Sequence, residues 1–243
     1  VAFKAKVVMH ATRMMLLHDE QQRTALPWRD LGRGLGGSFK AALGGIFAES
    51  FLGHDRILAM TKVYAGASGY SFKEWQGSFY PQKIRPDAML EWYAQRLPTV
   101  EINNTFYRMP QQPMVESWRT QVPEGFRFSV KASQRITHFK RLKDVESETK
   151  YLLETVGALE EKLGVVLYQL PPNMKKDLER LQSFVKVLPG DVRAAFEFRH
   201  PTWFDDDVLE VLKSQNLALC ISDTDDVPVT HIDRTADWGY LRL

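Results

Sequence analysis

Seven short apolar runs recur down the chain from Lys62 onward, and the stretches between them carry apolar residues at helical spacing. The runs are Lys62 to Gly66, Thr99 to Asn103, Phe126 to Lys131, Val165 to Gln169, Ala194 to Phe198, Leu217 to Ser222 and Gly239 to Leu243. Several are apolar at successive positions, as in Val165-Val166-Leu167-Tyr168, so both faces of such a strand need covering. The helical stretches supply the cover. Leu152, Val156, Leu159 and Leu163 make one stripe, Leu178, Leu181, Val185 and Leu188 a second, and Met89, Tyr93 and Leu97 a third behind Pro86 and Asp87. Asp205 to Asp207 open a further helix as cap and dipole partners.

Strict alternation of strand and helix permits an open doubly wound α/β sheet or a closed barrel. No Gly-x-Gly-x-x-Gly follows the first run, which counts against a dinucleotide-binding sheet. Polar residues recur instead at the C-terminal ends of the runs, where a TIM (β/α)8-type barrel holds its site. Seven strands leave such a barrel one short, and the last run ends at Leu243. The expectation is therefore a TIM-type barrel that stops after its seventh strand.

Residues 1–60 differ in character: they are Gly-rich between Leu31 and Gly37 and show no sustained strand or helix period. With Val1 in the place of an initiating Met, and Met60 just ahead of the first run, this head reads as a non-native or poorly ordered extension outside a barrel formed by 61–243. It also holds the basic charge, with 8 Lys or Arg against 5 Asp or Glu in a chain whose formal net charge is +2. The body thus lacks the basic patch that duplex nucleic acid would need as a partner. No run approaches the roughly 18 apolar residues of a membrane helix, and the N-terminus lacks the order of a signal peptide. The single cysteine, Cys220, lies inside an apolar run, which points to a buried thiol in a reducing compartment and a cytoplasmic location.

Because side chains alternate along a strand, Glu101 shares a face with Asn103, Ser129 with Lys131, Glu197 with Arg199, and Ile221 with Asp223. With those faces inward, the barrel mouth collects Glu101, Lys131, Gln169, Glu197, Arg199 and Asp223, with Arg242 at the end of the last run. A salt-bridged plug is one reading of this cluster. A catalytic site is the other, since a buried ion network is costly to build and weakly stabilising. Glu101 and Glu197 are the acid and base candidates. Lys131 is their charge partner or, with a depressed pKa, a Schiff-base amine.

His138 and His200 follow strand ends, where each either meets a ligand or bonds to backbone. With Glu101, Glu197 and Asp223 they could complete an oxygen-rich divalent metal site, which is not favoured because Lys131 and Arg199 already neutralise the carboxylates. Aromatic residues crowd the first loops: Phe72 and Phe79 read as packing, while Trp75, Tyr107 and Trp203 carry polar handles suited to the wall of a pocket. Ser68 offers a hydroxyl to an anion, and no Gly-x-Ser-x-Gly elbow marks it as a nucleophile.

The segments Ala65 to Phe72 (AGASGYSF), Thr99 to Tyr107 (TVEINNTFY), Gly125 to Lys131 (GFRFSVK) with Ile136-Thr137-His138, Leu167 to Pro172 (LYQLPP), Phe196 to Trp203 (FEFRHPTW) and Tyr240 to Leu243 occur together and in order. In them the chain resembles the YecE-like family, domain of unknown function 72, over Lys62 to Leu243 and not over the head. The resemblance implies a TIM barrel related to sugar isomerases, whose members continue past the Arg-Leu pair with His-Gly, a helix and a last strand. It implies no particular reaction. The expected function is an enzyme doing acid/base chemistry on a small polar substrate, a sugar or an anionic one such as a sugar phosphate, with no membrane partner. Its catalytic groups would be Glu101, Lys131, Glu197, Arg199 and Asp223. Ser68, Tyr70, Trp75, Asn103, Tyr107, His138, Gln169, His200, Trp203 and Arg242 would bind the substrate. A metal-assisted phosphoesterase and a non-catalytic ligand-binding barrel are the alternatives.

Overall fold

A computed structural model of the chain describes residues 7–13, 61–223 and 231–242. The chain divides into two units, Val1–Ala11 with Val63–Leu243, and Thr12–Lys62. Almost all of the second lies outside the described residues, and with it the expectation for the rest of the head. The strands β2 (Thr61–Ala67), β3 (Thr99–Ile102), β4 (Arg127–Lys131), β5 (Leu163–Gln169), β6 (Ala194–Glu197), β7 (Ala218–Ser222) and β8 (Trp238–Arg242) follow the seven expected runs. Each pairs in parallel with the next, giving a curled seven-stranded α/β sheet. The head adds an element that its sequence does not announce. A strand β1 (Val7–Arg13) stands first in the order β1-β2-β3-β4-β5-β6-β7-β8 that closes the barrel, so this part of the head is not outside it.

The alternation of side chains creates two apolar compartments. Val166, Tyr168, Phe196 and Leu219 point outward and pack under the helices. Val165, Leu167, Ala195, Ala218, Cys220, Trp238 and Tyr240 fill the interior. Small residues on β6 and β7 make room there for the two large rings from β8. Close approach also shapes the first pair of strands. A Cβ on Gly66 would lie 1.9 Å from the Thr99 carbonyl oxygen, and the buried Tyr93 hydroxyl bridges both strands, accepting from Ala67 N and donating to Thr99 O at 2.8 Å each.

Helices α1 (Met89–Ala94), α2 (Asn104–Tyr107), α3 (Gln112–Thr120), α4 (Glu146–Gly157), α5 (Leu178–Val185) and α6 (Asp206–Ser214) connect the strands. In α5 the Asp177 carboxylate accepts from Arg180 N at 3.1 Å and so caps the first turn. Leu181, Phe184 and Val185 are buried below it, each burial contributing about 1.5–3 kcal/mol. The α4 stripe is shorter than its sequence suggests. The helix ends at Gly157, Glu160 takes a positive φ of 53°, and Leu163 becomes the first residue of β5. Among the described residues no helix is long and apolar enough to cross a membrane.

Candidate functional site

The C-terminal ends of β3, β5, β6 and β8 bring Glu101, Gln169, Glu197 and Arg242 together, all buried. Arg242 is the hub. Its Nε and Nη2 each lie 2.9 Å from the two oxygens of Glu101, a bidentate pair, and its Nη1 donates to Glu197 Oε2 at 2.6 Å. Tyr240, two residues back on the same face of β8, donates its hydroxyl to Glu101 Oε2 at 2.7 Å. Gln169 Nε2 lies 2.8 Å from both oxygens of Glu197, and Arg199 Nε reaches back to Glu197 Oε1 at 3.1 Å. Four donor contacts thus occupy Glu197, while Glu101 Oε1 holds one.

These contacts set the charge state of the floor. Burial pushes the Glu197 carboxyl up, but Arg242, Arg199 and Gln169 together hold it below the usual carboxylate range. Burial likewise works against the Arg242 cation, and Glu101 and Glu197 outweigh it, raising its pKa. The Tyr240 phenol is raised well above its ordinary value by burial and by Glu101, so it keeps its proton and remains a donor.

Lys131 ends β4 above this floor. Arg242 has taken the carboxylates expected as its partners, and the Lys131 amine makes no hydrogen bond or ion pair among the described residues. Its Nζ stands over the Phe106 ring, 4.4 Å from the centroid. Burial, then Arg242, lower its pKa from 10.5 to about 8, against the opposing pull of Glu197 and Glu101. His138 packs edge-on against the same ring with centroids 4.8 Å apart, and its Nδ1 is 2.9 Å from Thr137 Oγ1. Burial and then the Lys131 and Arg199 charges lower its pKa.

The side chains of the other expected site residues are not among those this hydrogen-bond network joins. Ile221 and Asp223 do not supply the inward face of β7. The inward residues are Ala218 and Cys220, and Ser222 is the one in register with Arg242. Asp223 meets that strand through its backbone, its N–H donating to Arg242 O at 2.8 Å. Trp203 is core: it stacks on Phe198 at 4.7 Å and donates Nε1 to Met174 O at 2.7 Å. Trp75 is buried among Phe72, Phe79 and Tyr80. Tyr70 packs against the outer core. His200 caps the turn Pro201–Trp203, accepting from Thr202 N at 3.3 Å. Asn103 donates to Ser68 O at 3.0 Å, tying the ends of β2 and β3, while Tyr107 is 73% exposed. Tyr240 and Phe106 were not singled out from sequence as site residues. For Tyr240 the available signal was its two-residue spacing from Arg242. No group of three or more His, Cys, Asp or Glu among the described residues is placed to hold a metal ion.

Comparison with known proteins agrees with this architecture. The chain is 31% identical over 150 residues to the UPF0759 protein YunF of Bacillus subtilis, covering 58% of this chain and 52% of that protein. It is 33% identical over 116 residues to the UPF0759 protein YecE of Escherichia coli K12, covering 47% and 43%. The chain thus matches about half the length of these curated relatives. Among solved structures it is similar to a DUF72 family protein of Thermotoga maritima (TM1631), with TM-score 0.61, 27% identity and 70% of each chain covered. A DUF72 family protein of Enterococcus faecalis (EF0366) gives TM-score 0.53 and 26% identity, covering 61% of this chain and 66% of that one. A family model described as protein of unknown function DUF72 matches residues 64–243, and with three quarters of its length inside that match the chain belongs to the DUF72 family.

Proposed function

We propose that the chain is a TIM (β/α)8-type barrel, cytoplasmic and related to sugar isomerases, whose C-terminal mouth is the active site of an enzyme. Its reaction is acid/base chemistry on a small polar substrate carrying an anionic group, a sugar or sugar phosphate in kind. One observation carries this reading: with Arg199 matching the remaining charge of the floor, Lys131 borders it as a further cation. Glu101 and Glu197 against Arg242 leave one negative charge, Arg199 balances it through Glu197, and Lys131 stands in excess. A surplus cation at a barrel mouth favours an anionic ligand.

The roles follow from the contacts. Arg199 gives one N–H to Glu197 and has its remaining guanidinium donors for a substrate anion. Lys131, titrating near 8, exchanges protons at neutral pH, and His138, packed edge-on against the same Phe106 ring, is a second proton carrier. Glu197 and Glu101, both buried and held by Arg242, serve as fixed charges beneath the mouth. The test is a turnover screen over phosphorylated and free sugars with Lys131→Met and Arg199→Met, two partly exposed positions off the buried floor. Turnover by the wild type that both variants lose, with melting temperatures retained, supports the reading. Turnover that survives Lys131→Met, or no binding of any sugar phosphate, overturns it.

A further inference from the structure

The Lys131 amine is placed unlike the other charged groups of the mouth. Its backbone is pinned, since Thr105 Oγ1 donates to Lys131 O at 2.7 Å. Its Nζ rests against an apolar ring rather than an acceptor. The groups around it are Arg242 and Arg199, which repel its charged form, Glu101 and Glu197, which attract it but are bound to Arg242, and His138 beyond the ring. A salt-bridge lysine is normally held by a carboxylate, and this one is held by packing.

We propose that Lys131 is a carbonyl-trapping nucleophile, its Nζ condensing with the aldehyde or ketone of the substrate to form an imine. The inference rests on the reading of the mouth as a site for small anionic substrates and adds to it that the substrate bears a carbonyl. The nitrogen lone pair of the neutral amine attacks the carbonyl carbon, and the carbonyl π pair moves to oxygen, which takes a proton. Nitrogen loses a proton to give the carbinolamine, whose hydroxyl takes a second proton and leaves as water while the nitrogen lone pair forms the C=N bond, and nitrogen then gives up its remaining proton. One amine and one carbonyl give one imine and one water, with no oxidant or reductant. His138, whose Nδ1 is engaged by Thr137, carries the proton between nitrogen and oxygen. With a pKa of about 8, roughly a quarter of Lys131 is unprotonated at pH 7.5, against about one part in a thousand for an ordinary lysine.

The probe is glyceraldehyde 3-phosphate with sodium cyanoborohydride, read by peptide mass spectrometry on the wild-type chain. Lys131 is expected to be alkylated at least about tenfold faster than the exposed Lys73 and Lys150, at a rate that rises through about pH 8. Inorganic phosphate should slow its labelling and leave Lys73 unaffected. Labelling of Lys131 no faster than of Lys73 and Lys150 overturns the proposal. Two mixed outcomes separate it from the reading beneath it. Fast labelling of Lys131 by glycolaldehyde and by the phosphorylated probe alike, with no competition by phosphate, upholds the imine and refutes the anionic substrate. Protection of the mouth by phosphate with an unreactive Lys131 refutes the imine and leaves the anion site standing.

Discussion

Replacing Arg242 by Leu tests whether the floor of the mouth is held together as the geometry indicates. The substitution removes three hydrogen bonds, at 2.9, 2.9 and 2.6 Å, from two buried carboxylates. Breaking a buried pair by deleting one partner costs about 3–5 kcal/mol, because the remaining charge stays desolvated. For a chain of this size each kcal/mol moves the melting temperature by roughly 2–4 °C, so a fall of about 6–20 °C is expected. The pH dependence gives a sharper check. In the wild type the Glu197 pKa is lowered, so its contribution is complete above the unfolded value and is lost only as pH falls through the lower folded value. Without Arg242, burial dominates and the folded pKa of Glu197 rises above its unfolded value, so the penalty is greatest at high pH and shrinks as pH falls through the raised value. Urea denaturation of both proteins at about pH 8 and pH 5.5 measures this difference. A loss below about 1 kcal/mol, or one equal at the two pH values, would refute the assignment of Arg242 as hub.

Two tyrosines make a paired test elsewhere in the barrel. Tyr93→Phe removes the hydroxyl that joins Ala67 N to Thr99 O and should cost about 1–3 kcal/mol in chemical denaturation. Tyr168 has a buried hydroxyl with no hydrogen-bond partner among the described residues, so Tyr168→Phe should leave stability unchanged or increased. Glu148 accepts from Arg135 at 2.9 Å and lies 2.8 Å from Lys140 Nζ, and these two hold its pKa at about 2. Its contribution is therefore present above its ordinary value of 4.5 and lost as pH falls toward 2, and Glu148→Gln should flatten stability between those limits in acid titrations.

The strands were legible because a parallel barrel buries both faces, leaving runs such as Val165 to Tyr168 that no solvated strand shows. The two glutamates and Gln169 were legible by alternation from those runs. Alternation did not reach Asp223, which follows the end of β7, and the phase of β7 itself is decided by size: Ala218 and Cys220 face inward to admit Trp238 and Tyr240, and Leu219 lies under the helices. The central place of Arg242 could not be read locally. It depends on the stagger that brings β8 opposite β3 and β6, residues 141 and 45 positions away in sequence. Trp203 and Trp75 looked like pocket walls because an indole N–H needs a partner, but for Trp203 a backbone carbonyl at Met174 supplies it inside the core. The strand at Val7–Arg13 is a tertiary effect, since nothing in its own period sets it apart from the rest of the head.

Arg242 takes the carboxylates and leaves a desolvated amine at the mouth, which the titration of Lys131 itself checks. Reductive methylation with 13C-formaldehyde makes each lysine visible by NMR, and comparison with Lys131→Arg identifies the resonance. This one resonance is expected to titrate near pH 8 while exposed lysines titrate near their usual value of about 10.4. A Lys131 resonance that titrates together with the exposed lysines would contradict it.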